Sequence, residues 1–308
     1  MAIYRSVREL IGNTPLFEIT KFSLPRGVRL YAKLELFNPG GSIKDRLGVA
    51  LIEEAFSKGK MQEGATLIEP TAGNTGIGLA LAALEIDIAV IFCVPEQFSF
   101  EKQAIMKALG AKIIHTPQEM GMKGAIEKTA ELLKVIPNSF SPKQFSNPAN
   151  PQAYYHTLGP EIWKELNGHI DIFVAGAGTG GTFMGCSKYL KEKNPNIKTV
   201  IVEPEGSIIA GEEPGTHKTE GIGMEFLPEF MNEDIIDQID VISDDEAFRI
   251  VKQLAEKEGL LVGSSSGAAL SSALREAHHA QIGSTIVTVF PDASDRYLSK
   301  NIYNQEGE

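Results

Sequence analysis

One stretch of the sequence combines a tight turn with the start of a helix: Asn38-Pro39-Gly40-Gly41-Ser42-Ile43-Lys44-Asp45-Arg46. The hydroxyl of Ser42 can accept a hydrogen bond from an amide in the first helical turn. The apolar spacing over 47–56 predicts an amphipathic helix with Lys44 at its positive end, where a neutral amine is favoured over an ammonium. Such a lysine suits Schiff-base chemistry, which pyridoxal phosphate commonly uses. Taken alone, the stretch also fits a solvated lysine at a helix start.

Strand and helix patterns alternate on both sides of this stretch. We predict strands after Pro15 and over 27–36, 66–69, 88–94, 112–115, 171–175, 199–203 and 285–290. We predict helices over 77–85, 102–109, 124–134, 154–166, 183–193, 244–258 and 268–279. This alternation indicates an α/β fold of mostly parallel, twisted sheets flanked by helices, with ligands bound beyond the carboxyl ends of the strands.

A segment rich in Pro, Asn and Ser over 137–151 indicates a domain boundary. We expect an N-terminal domain over 1–149 and a C-terminal domain over 150–308 that holds a cofactor phosphate. Within the first, about 12–36 is expected to cross to the larger domain, and about 45–149 to form the smaller mobile part. The loop over 204–232 has little periodicity and is expected to be functional.

Composition narrows the classes of partner. The chain of 308 residues carries 29 Lys and Arg against 40 Asp and Glu, a formal charge of −11, which argues against nucleic acid and anionic membranes. We see no secretory signal and no apolar run long enough to span a bilayer. Cys93 and Cys186 are expected to be buried, reduced thiols, and the histidines lack metal-ligand spacing. We therefore expect a cytoplasmic protein that binds small molecules and no metal.

Three glycine-rich loops each precede a helix, at 71–76, 176–182 and 263–267; the first two follow a strand, and the third follows the helix over 244–258. Amides at such positions can hold a phosphate or a carboxylate, and the dense glycines of the second loop favour phosphate. Asn74 in the first loop can hydrogen-bond a phenolic oxygen or an amide. A serine in the third can donate to a ring nitrogen or simply cap the helix.

The second loop also permits a rival interpretation. Gly176, Gly178 and Gly181 satisfy Gly-x-Gly-x-x-Gly, and Glu203 ends the next strand, as in folds that bind nicotinamide or flavin dinucleotides. A nicotinamide-dependent oxidoreductase is therefore one alternative, and a binding protein without a cofactor is another. The dinucleotide interpretation leaves Lys44 unexplained and places its fingerprint past the middle of the chain.

Together these loops resemble the fold-type II pyridoxal-phosphate family that contains cysteine synthase (O-acetylserine sulfhydrylase) and cystathionine β-synthase, whose architecture is tryptophan synthase β-like. The matching stretches follow the family's order at 11–16, 39–46, 71–76, 144–151, 156–163, 178–182, 220–223, 263–268 and 291–292. Three stretches, 71–76, 220–225 and 263–267, look most like bacterial O-acetylserine-dependent cystathionine β-synthases. Ala72 replaces the serine usual in cysteine synthases. The haem segment and regulatory tandem of larger cystathionine synthases are not expected.

The resemblance implies a role for each matching residue. Lys44 would be catalytic, forming the internal aldimine and moving the α-proton. Asn74 would meet the cofactor's ring oxygen and Ser265 its pyridine nitrogen. The implied cofactor-binding residues are Lys44, Asn74, Gly178, Thr179, Gly180, Gly181, Thr182 and Ser265. The implied substrate-binding residues are Thr71, Ala72, Asn74, Thr75, Gln144, Gly221, Ile222 and Gly223.

The reaction implied is β-replacement on O-acetylserine or serine through an α-aminoacrylate, with pyridoxal 5'-phosphate as cofactor. Homocysteine as the acceptor would give cystathionine, and sulfide, the alternative, would give cysteine. A serine beside the ring nitrogen makes the ring a weaker electron sink, which favours loss of the β-substituent over transamination. A homodimer is expected from the resemblance, which also raises a complex with serine acetyltransferase. The residues themselves indicate neither assembly.

Overall fold

A computed structural model describes residues 3–71, 73–96 and 98–304, and its strands form two separate sheets. The strands are β1 Leu16–Glu18, β2 Arg29–Leu34, β3 Thr66–Pro70, β4 Ala89–Pro95, β5 Lys112–Thr116, β6 Ser139–Phe140, β7 Ile172–Gly176, β8 Lys198–Pro204, β9 Gln238–Ile242 and β10 Thr285–Phe290. The helices are α1 Lys44–Ser57, α2 Asn74–Ala83, α3 Phe100–Ala108, α4 Gly121–Val135, α5 Ala149–His156, α6 Leu158–Glu165, α7 Gly181–Lys193, α8 Asp244–Glu258 and α9 Ser264–His279.

The chain divides into two units: unit 1 comprises residues 1–11 and 38–149, and unit 2 comprises residues 12–37 and 150–308. Unit 1 contains a four-stranded sheet in the order β5-β4-β3-β6, in which every pair is parallel. Helix α4 packs on β3 and β4, where Ile68, Cys93 and Ala125 form a buried cluster. Helices α1 and α2 pack on each other.

Unit 2 contains a six-stranded sheet in the order β1-β2-β10-β7-β8-β9. Only β1 runs antiparallel to its neighbour among these strands. All six residues of β10 are buried, as expected for a central parallel strand covered on both faces. The predicted α/β fold with mostly parallel sheets is therefore confirmed. Within the described residues, no helix is both long and apolar enough to cross a membrane.

Three details differ from the sequence-based expectation. The pattern over 27–36 predicted a strand covered on one face, yet Lys33 and Glu35 are fully buried. Lys33 Nζ donates to the Thr14 carbonyl at 2.6 Å and to both Glu165 oxygens at 2.8 Å. Glu35 accepts from Thr14 Oγ1 at 2.6 Å. Polar side chains can occupy the inner face because each is paired there.

The helix predicted over 154–166 is two helices, α5 and α6. They are separated at Thr157, whose φ of −121° and ψ of −71° are not helical. Pro160 has no amide to donate to the carbonyl four residues earlier, so the ladder is interrupted at this point. Strand β9 was not predicted, because its five residues lie next to the aperiodic loop and it is the edge strand of its sheet. Cys93 and Cys186 are buried free thiols, as expected.

Candidate active site

The lysine segment of unit 1 has the local structure that its sequence predicts. Helix α1 begins at Lys44, and the Lys44 amide donates to Ser42 Oγ at 3.2 Å, satisfying a donor with no intrahelical partner. Asp45, fully buried in the first turn, accepts from the Gly40 amide at 2.5 Å. A Cβ at Gly40 would overlap this carboxylate, so any larger residue there would displace the Asp45 side chain. Lys44 itself is half-buried.

Helix α2 crosses α1 at close range because both carry glycine at the contact. A Cβ at Gly48 of α1 would overlap the carbonyl of Gly78 on α2. The two backbones therefore touch, with no side chain between them. This contact couples the position of the lysine helix to that of the helix that begins at Asn74.

The first predicted loop brings together two of the expected substrate-binding side chains. Thr75, in the first turn of α2, donates from Oγ1 to Gln144 Oε1 at 2.7 Å, although the two residues are 69 positions apart. Both side chains are buried, as is Thr71. Asn74 is the first residue of α2, with Gly73 as the N-cap. Ala72 lies outside the described residues.

Glu69, which sequence analysis did not single out, is buried on β3 two residues before Thr71. Its carboxylate accepts from Ser141 Oγ at 2.6 Å, from the Lys143 amide at 3.2 Å and from the Gln144 amide at 3.1 Å. Burial raises the pKa of Glu69 above its ordinary value, and these hydrogen bonds offset only part of that rise. An acid inside an apolar strand was the signal in the sequence.

The second loop, in unit 2, places backbone amides and hydroxyls at the start of α7. The N-cap of α7 is Gly180, which has a left-handed φ of +79° and no side chain to cap the helix. Thr179 and Thr182, on either side, are buried. Amides at an uncapped helix N-terminus, together with hydroxyl donors, suit a phosphate.

Asn150, also missed by sequence analysis, contacts this loop through its side chain. Its side chain is fully buried, and Nδ2 donates to Thr179 Oγ1 at 2.9 Å. A Cβ at Gly181 would overlap the side-chain oxygen Oδ1 of Asn150, so the asparagine side chain is in contact with the first residue of α7. Asn150 therefore fixes both the threonine and the start of the helix.

The predicted loop over 221–223 packs directly on the second loop. The Gly223 amide donates to the Ala177 carbonyl at 2.9 Å, and a Cβ at Gly178 would overlap the Gly221 carbonyl oxygen. The side chain of Ile222 is buried in the core of unit 2. Only the backbone of Ile222 is therefore available to a ligand.

The third loop joins the same cluster of unit 2. Ser264 Oγ accepts from the Glu220 amide at 3.0 Å, so Ser264 holds the neighbouring loop. Ser265 is buried, and a Cβ placed on Gly221 would lie 3.8 Å from Ser265 Oγ. The two serines therefore differ in their contacts. Ser264 holds the neighbouring loop, and Ser265 lies next to Gly221, which is predicted to bind ligand.

Glu203 does not have the contacts expected of a ribose-binding acid. It is fully buried, with Oε2 accepting from the Ile209 amide at 2.9 Å and Oε1 from the Ala210 amide at 2.6 Å. Both oxygens therefore hold the following loop, which argues against a dinucleotide in this unit. Among the described residues, no group of three or more His, Cys, Asp or Glu side chains could hold a metal ion.

Comparisons with known proteins agree with this geometry. The family model for a pyridoxal-phosphate dependent enzyme matches residues 7–292. The O-acetylserine dependent cystathionine beta-synthase of Bacillus subtilis (strain 168) is 60% identical over 303 residues, covering 98% of this chain and 99% of that protein. A cysteine synthase of Helicobacter pylori (strain J99) is 55% identical over 304 residues, covering 98% of this chain and 100% of that protein.

A solved structure also matches nearly the whole chain. The crystal structure of the O-acetylserine dependent cystathionine beta-synthase from Helicobacter pylori superposes with a TM-score of 0.95 at 55% identity, covering 99% of this chain and 100% of that chain. The fold-type II resemblance drawn from the loops is thereby confirmed. Family model, relatives and fold all span nearly the whole chain, and this chain belongs to the family of pyridoxal-phosphate dependent enzymes.

Proposed function

We propose that this enzyme replaces the β-substituent of O-acetylserine with a thiol, and that homocysteine is the preferred acceptor, giving cystathionine. The single observation that carries the proposal is the 60% identity, over nearly the whole chain, to a Bacillus subtilis relative named for that activity. Serine is the alternative amino-acid donor. Because the relatives' names divide between cystathionine and cysteine synthesis, the acceptor is the part that needs experiment.

The cofactor, pyridoxal 5'-phosphate, fits the residues of each unit. In unit 2 the uncapped start of α7 and the buried Thr179 and Thr182 hydroxyls suit its phosphate, and glycines at 178, 180 and 181 keep the amides accessible. We assign its pyridine nitrogen to Ser265. In unit 1 we assign its aldehyde to Lys44 and its ring oxygen to Asn74. When bound, the cofactor supplies a carbonyl for amines and a ring that withdraws electrons from the adjacent carbon.

The chain's own residues have four tasks in this proposal. Lys44 Nζ would hold the cofactor's aldehyde carbon, and as a free amine it would remove and return the proton at the substrate Cα. Ser265 stays neutral, so it does not stabilise a protonated ring nitrogen as a carboxylate would. Thr71, Ala72, Asn74, Thr75 and Gln144 hold the substrate carboxylate, which fixes the orientation of the Cα–H bond. The backbone of 221–223 is also assigned to substrate binding, as the family resemblance implies.

Cysteine synthesis from sulfide is the second candidate. It is favoured by the 55% identity to a Helicobacter pylori relative named cysteine synthase. Both reactions use the same donor and the same proton transfers, so only the acceptor distinguishes them. The rates with O-acetylserine and either homocysteine or sulfide test the proposal. We expect higher kcat/KM with homocysteine. Much faster turnover with sulfide would make the enzyme a cysteine synthase.

We propose that the enzyme acts as a cytoplasmic homodimer. The N-terminal segment supports a dimer, because the apolar side chains of Ile3, Tyr4, Val7 and Leu10 are all exposed and the short helix Val7–Leu10 buries none of its residues. The two free, buried thiols support a reducing compartment. Sedimentation of the intact chain and of a Val7→Asp/Leu10→Asp variant tests the assembly. We expect a dimer and a monomer, respectively, and a monomeric intact chain would contradict the proposal.

A further inference from the structure

Glu69 is a buried acid that the proposed reaction does not use. It lies on β3 of unit 1 with 1% of its surface exposed. Three donors surround the carboxylate: one hydroxyl and two consecutive backbone amides, those of Lys143 and Gln144. Burying a carboxylate is costly unless such donors satisfy it, so this arrangement requires a reason beyond packing.

The segment that Glu69 holds has an unusual backbone. Lys143 has a φ of +53°, in the left-handed region that residues with side chains rarely adopt. Its amide and the next one both point at Glu69. Successive amides that converge in this way form a concave anion site, and here the anion is a side chain of the same chain. Glu69 therefore stabilises a backbone conformation that the segment would otherwise disfavour.

This conformation determines where Gln144 lies. The Gln144 amide donates to Glu69 Oε1, while its side-chain oxygen accepts from Thr75 Oγ1 at 2.7 Å. The residue is thus held at both ends, by β3 through its backbone and by α2 through its side chain. Thr75 and Gln144 are both assigned above to the substrate carboxylate.

We propose that Glu69 is a positioning residue for the substrate-carboxylate site, acting through the backbone of Lys143 and Gln144. The inference rests on the proposed function only for the identity of the ligand, an α-amino acid. Glu69 touches neither substrate nor cofactor in this proposal. It keeps Gln144 facing Thr75, so its loss weakens substrate binding more than the chemical step.

Glu69→Gln is the sharpest variant because it keeps the size and removes one acceptor oxygen. In either orientation of the new amide, its NH2 group faces a backbone N–H of Lys143 or Gln144. At least one of those hydrogen bonds is therefore lost. Ser141→Ala is the matched control, since it removes the hydroxyl donor and leaves both backbone bonds to Glu69 in place.

The first readout needs no catalysis. Hydrogen–deuterium exchange should show the amides of Lys143 and Gln144 protected in the wild type and in Ser141→Ala, and exchanging about tenfold faster or more in Glu69→Gln. Binding of L-alanine, which has the carboxylate but no leaving group, should weaken about tenfold in Glu69→Gln alone. Unchanged exchange and unchanged alanine binding would overturn the proposal.

The second readout is kinetic. For Glu69→Gln we expect KM for O-acetylserine to rise about tenfold, with kcat within about threefold and cofactor affinity unchanged. In a Gln144→Ala background Glu69→Gln should raise KM little further, because both changes disrupt the same interaction, that of the Gln144 side chain with its ligand. Additive effects, or a fall in kcat at constant KM, would show a merely structural role.

Failure of the Glu69 proposal and failure of the proposed function can be distinguished. If Glu69→Gln does not fold, Glu69→Asp takes its place, because it keeps the charge and shortens the reach, and we expect a smaller change of the same kind. If the wild type gives no product with any thiol, the proposed function fails. The exchange and alanine measurements still decide the role of Glu69 in that case.

Discussion

The carbonyl oxygen of Lys44 occupies the space that a side chain at Gly78 would need. The two residues lie on different helices, α1 and α2, whose backbones are in direct contact there. Position 78 is therefore restricted to glycine by the lysine helix, independently of any ligand. The first turn of α1, which carries the candidate catalytic amine, cannot move without moving α2.

Gly78→Ala should displace Lys44. The added methyl group overlaps the Lys44 carbonyl, and overpacking of this kind costs about 1–3 kcal/mol. We expect a lower melting temperature and a fall in kcat of about tenfold or more. Gly159→Ala is the control, since its Cβ would press on Tyr189 at 3.0 Å within unit 2 and touches neither α1 nor α2 in the contacts that the structure shows for it. Equal loss of kcat in both variants would argue against a specific effect on the lysine.

Lys44→Ala should abolish turnover and leave a folded protein. The variant lacks the amine to which the proposal assigns both the cofactor's aldehyde and the transfer of the Cα proton. Borohydride reduction followed by peptide mass analysis should label Lys44 in the wild type only. Lys58→Ala is a suitable control, because this exposed lysine lies just after α1 and pairs only with Glu54 of that helix in the ion pairs shown for it. Substantial activity in Lys44→Ala would remove the residue from the mechanism.

Asn150→Ala should weaken cofactor binding. The change leaves Thr179 Oγ1 without the Asn150 amide and opens space beside Gly181. Loss of one buried hydrogen bond is worth about 1 kcal/mol, so we expect the dissociation constant of pyridoxal 5'-phosphate to rise about fivefold. Fluorescence titration of the cofactor-free protein measures it. Ser187→Ala, on helix α7, should leave this dissociation constant unchanged, because that buried hydroxyl has no partner among the described residues.

Ala72→Ser restores the hydroxyl that cysteine synthases usually carry in this loop. We expect it to change the ratio of kcat/KM for homocysteine and sulfide while leaving cofactor affinity intact. The measurement is the same pair of steady-state assays used for the wild type. Identical kinetics for every donor and acceptor would make Ala72 incidental to specificity.

The pH dependence of stability should include a contribution from Asp237. Burial alone would raise its pKa, but hydrogen bonds from Lys191 and Thr199 outweigh burial and lower it below 3.8. A lowered folded-state pKa means that the unfolded chain binds the proton first as pH falls. The stabilisation is therefore present above pH 3.8 and is lost as pH falls through the folded-state value. Urea midpoints of the wild type and Asp237→Asn should differ at pH 7 and converge as the pH falls below the folded-state pKa; a constant difference would contradict this.

The sequence predicted the elements whose periodicity is strong. Helix α8 and strand β10 have the predicted bounds, because α8 has a long amphipathic face and β10 is a run of β-branched and aromatic residues. The glycine-rich loops could also be predicted, since each precedes a helix and the first two also follow a strand. Hydrogen bonds between residues far apart in the sequence could not be predicted. Thr75 with Gln144, and Asn150 with Thr179, depend on how the chain returns to the same sheet edge.

Buried polar side chains were the main omission. Lys33 resembles a solvent-facing residue in a pattern of alternating polarity, and Glu69 is an acid in an apolar strand, yet both are buried. Their burial is stabilised by partners that lie far away in the sequence, Glu165 for Lys33 and Ser141 for Glu69. A single strand does not reveal such partners, so hydropathy assigns the residues to the surface.

The topology of the two sheets also sets an order of events during synthesis. Strands β3 to β6 emerge from the ribosome as one continuous stretch, 66–140, so their sheet can form early. Strand β2 emerges before them, but its parallel partner β10 is among the last segments translated. Until residue 290 appears, one edge of β2 is an unsatisfied template for other chains. Nascent chains stalled before that point should be the species that chaperones must hold.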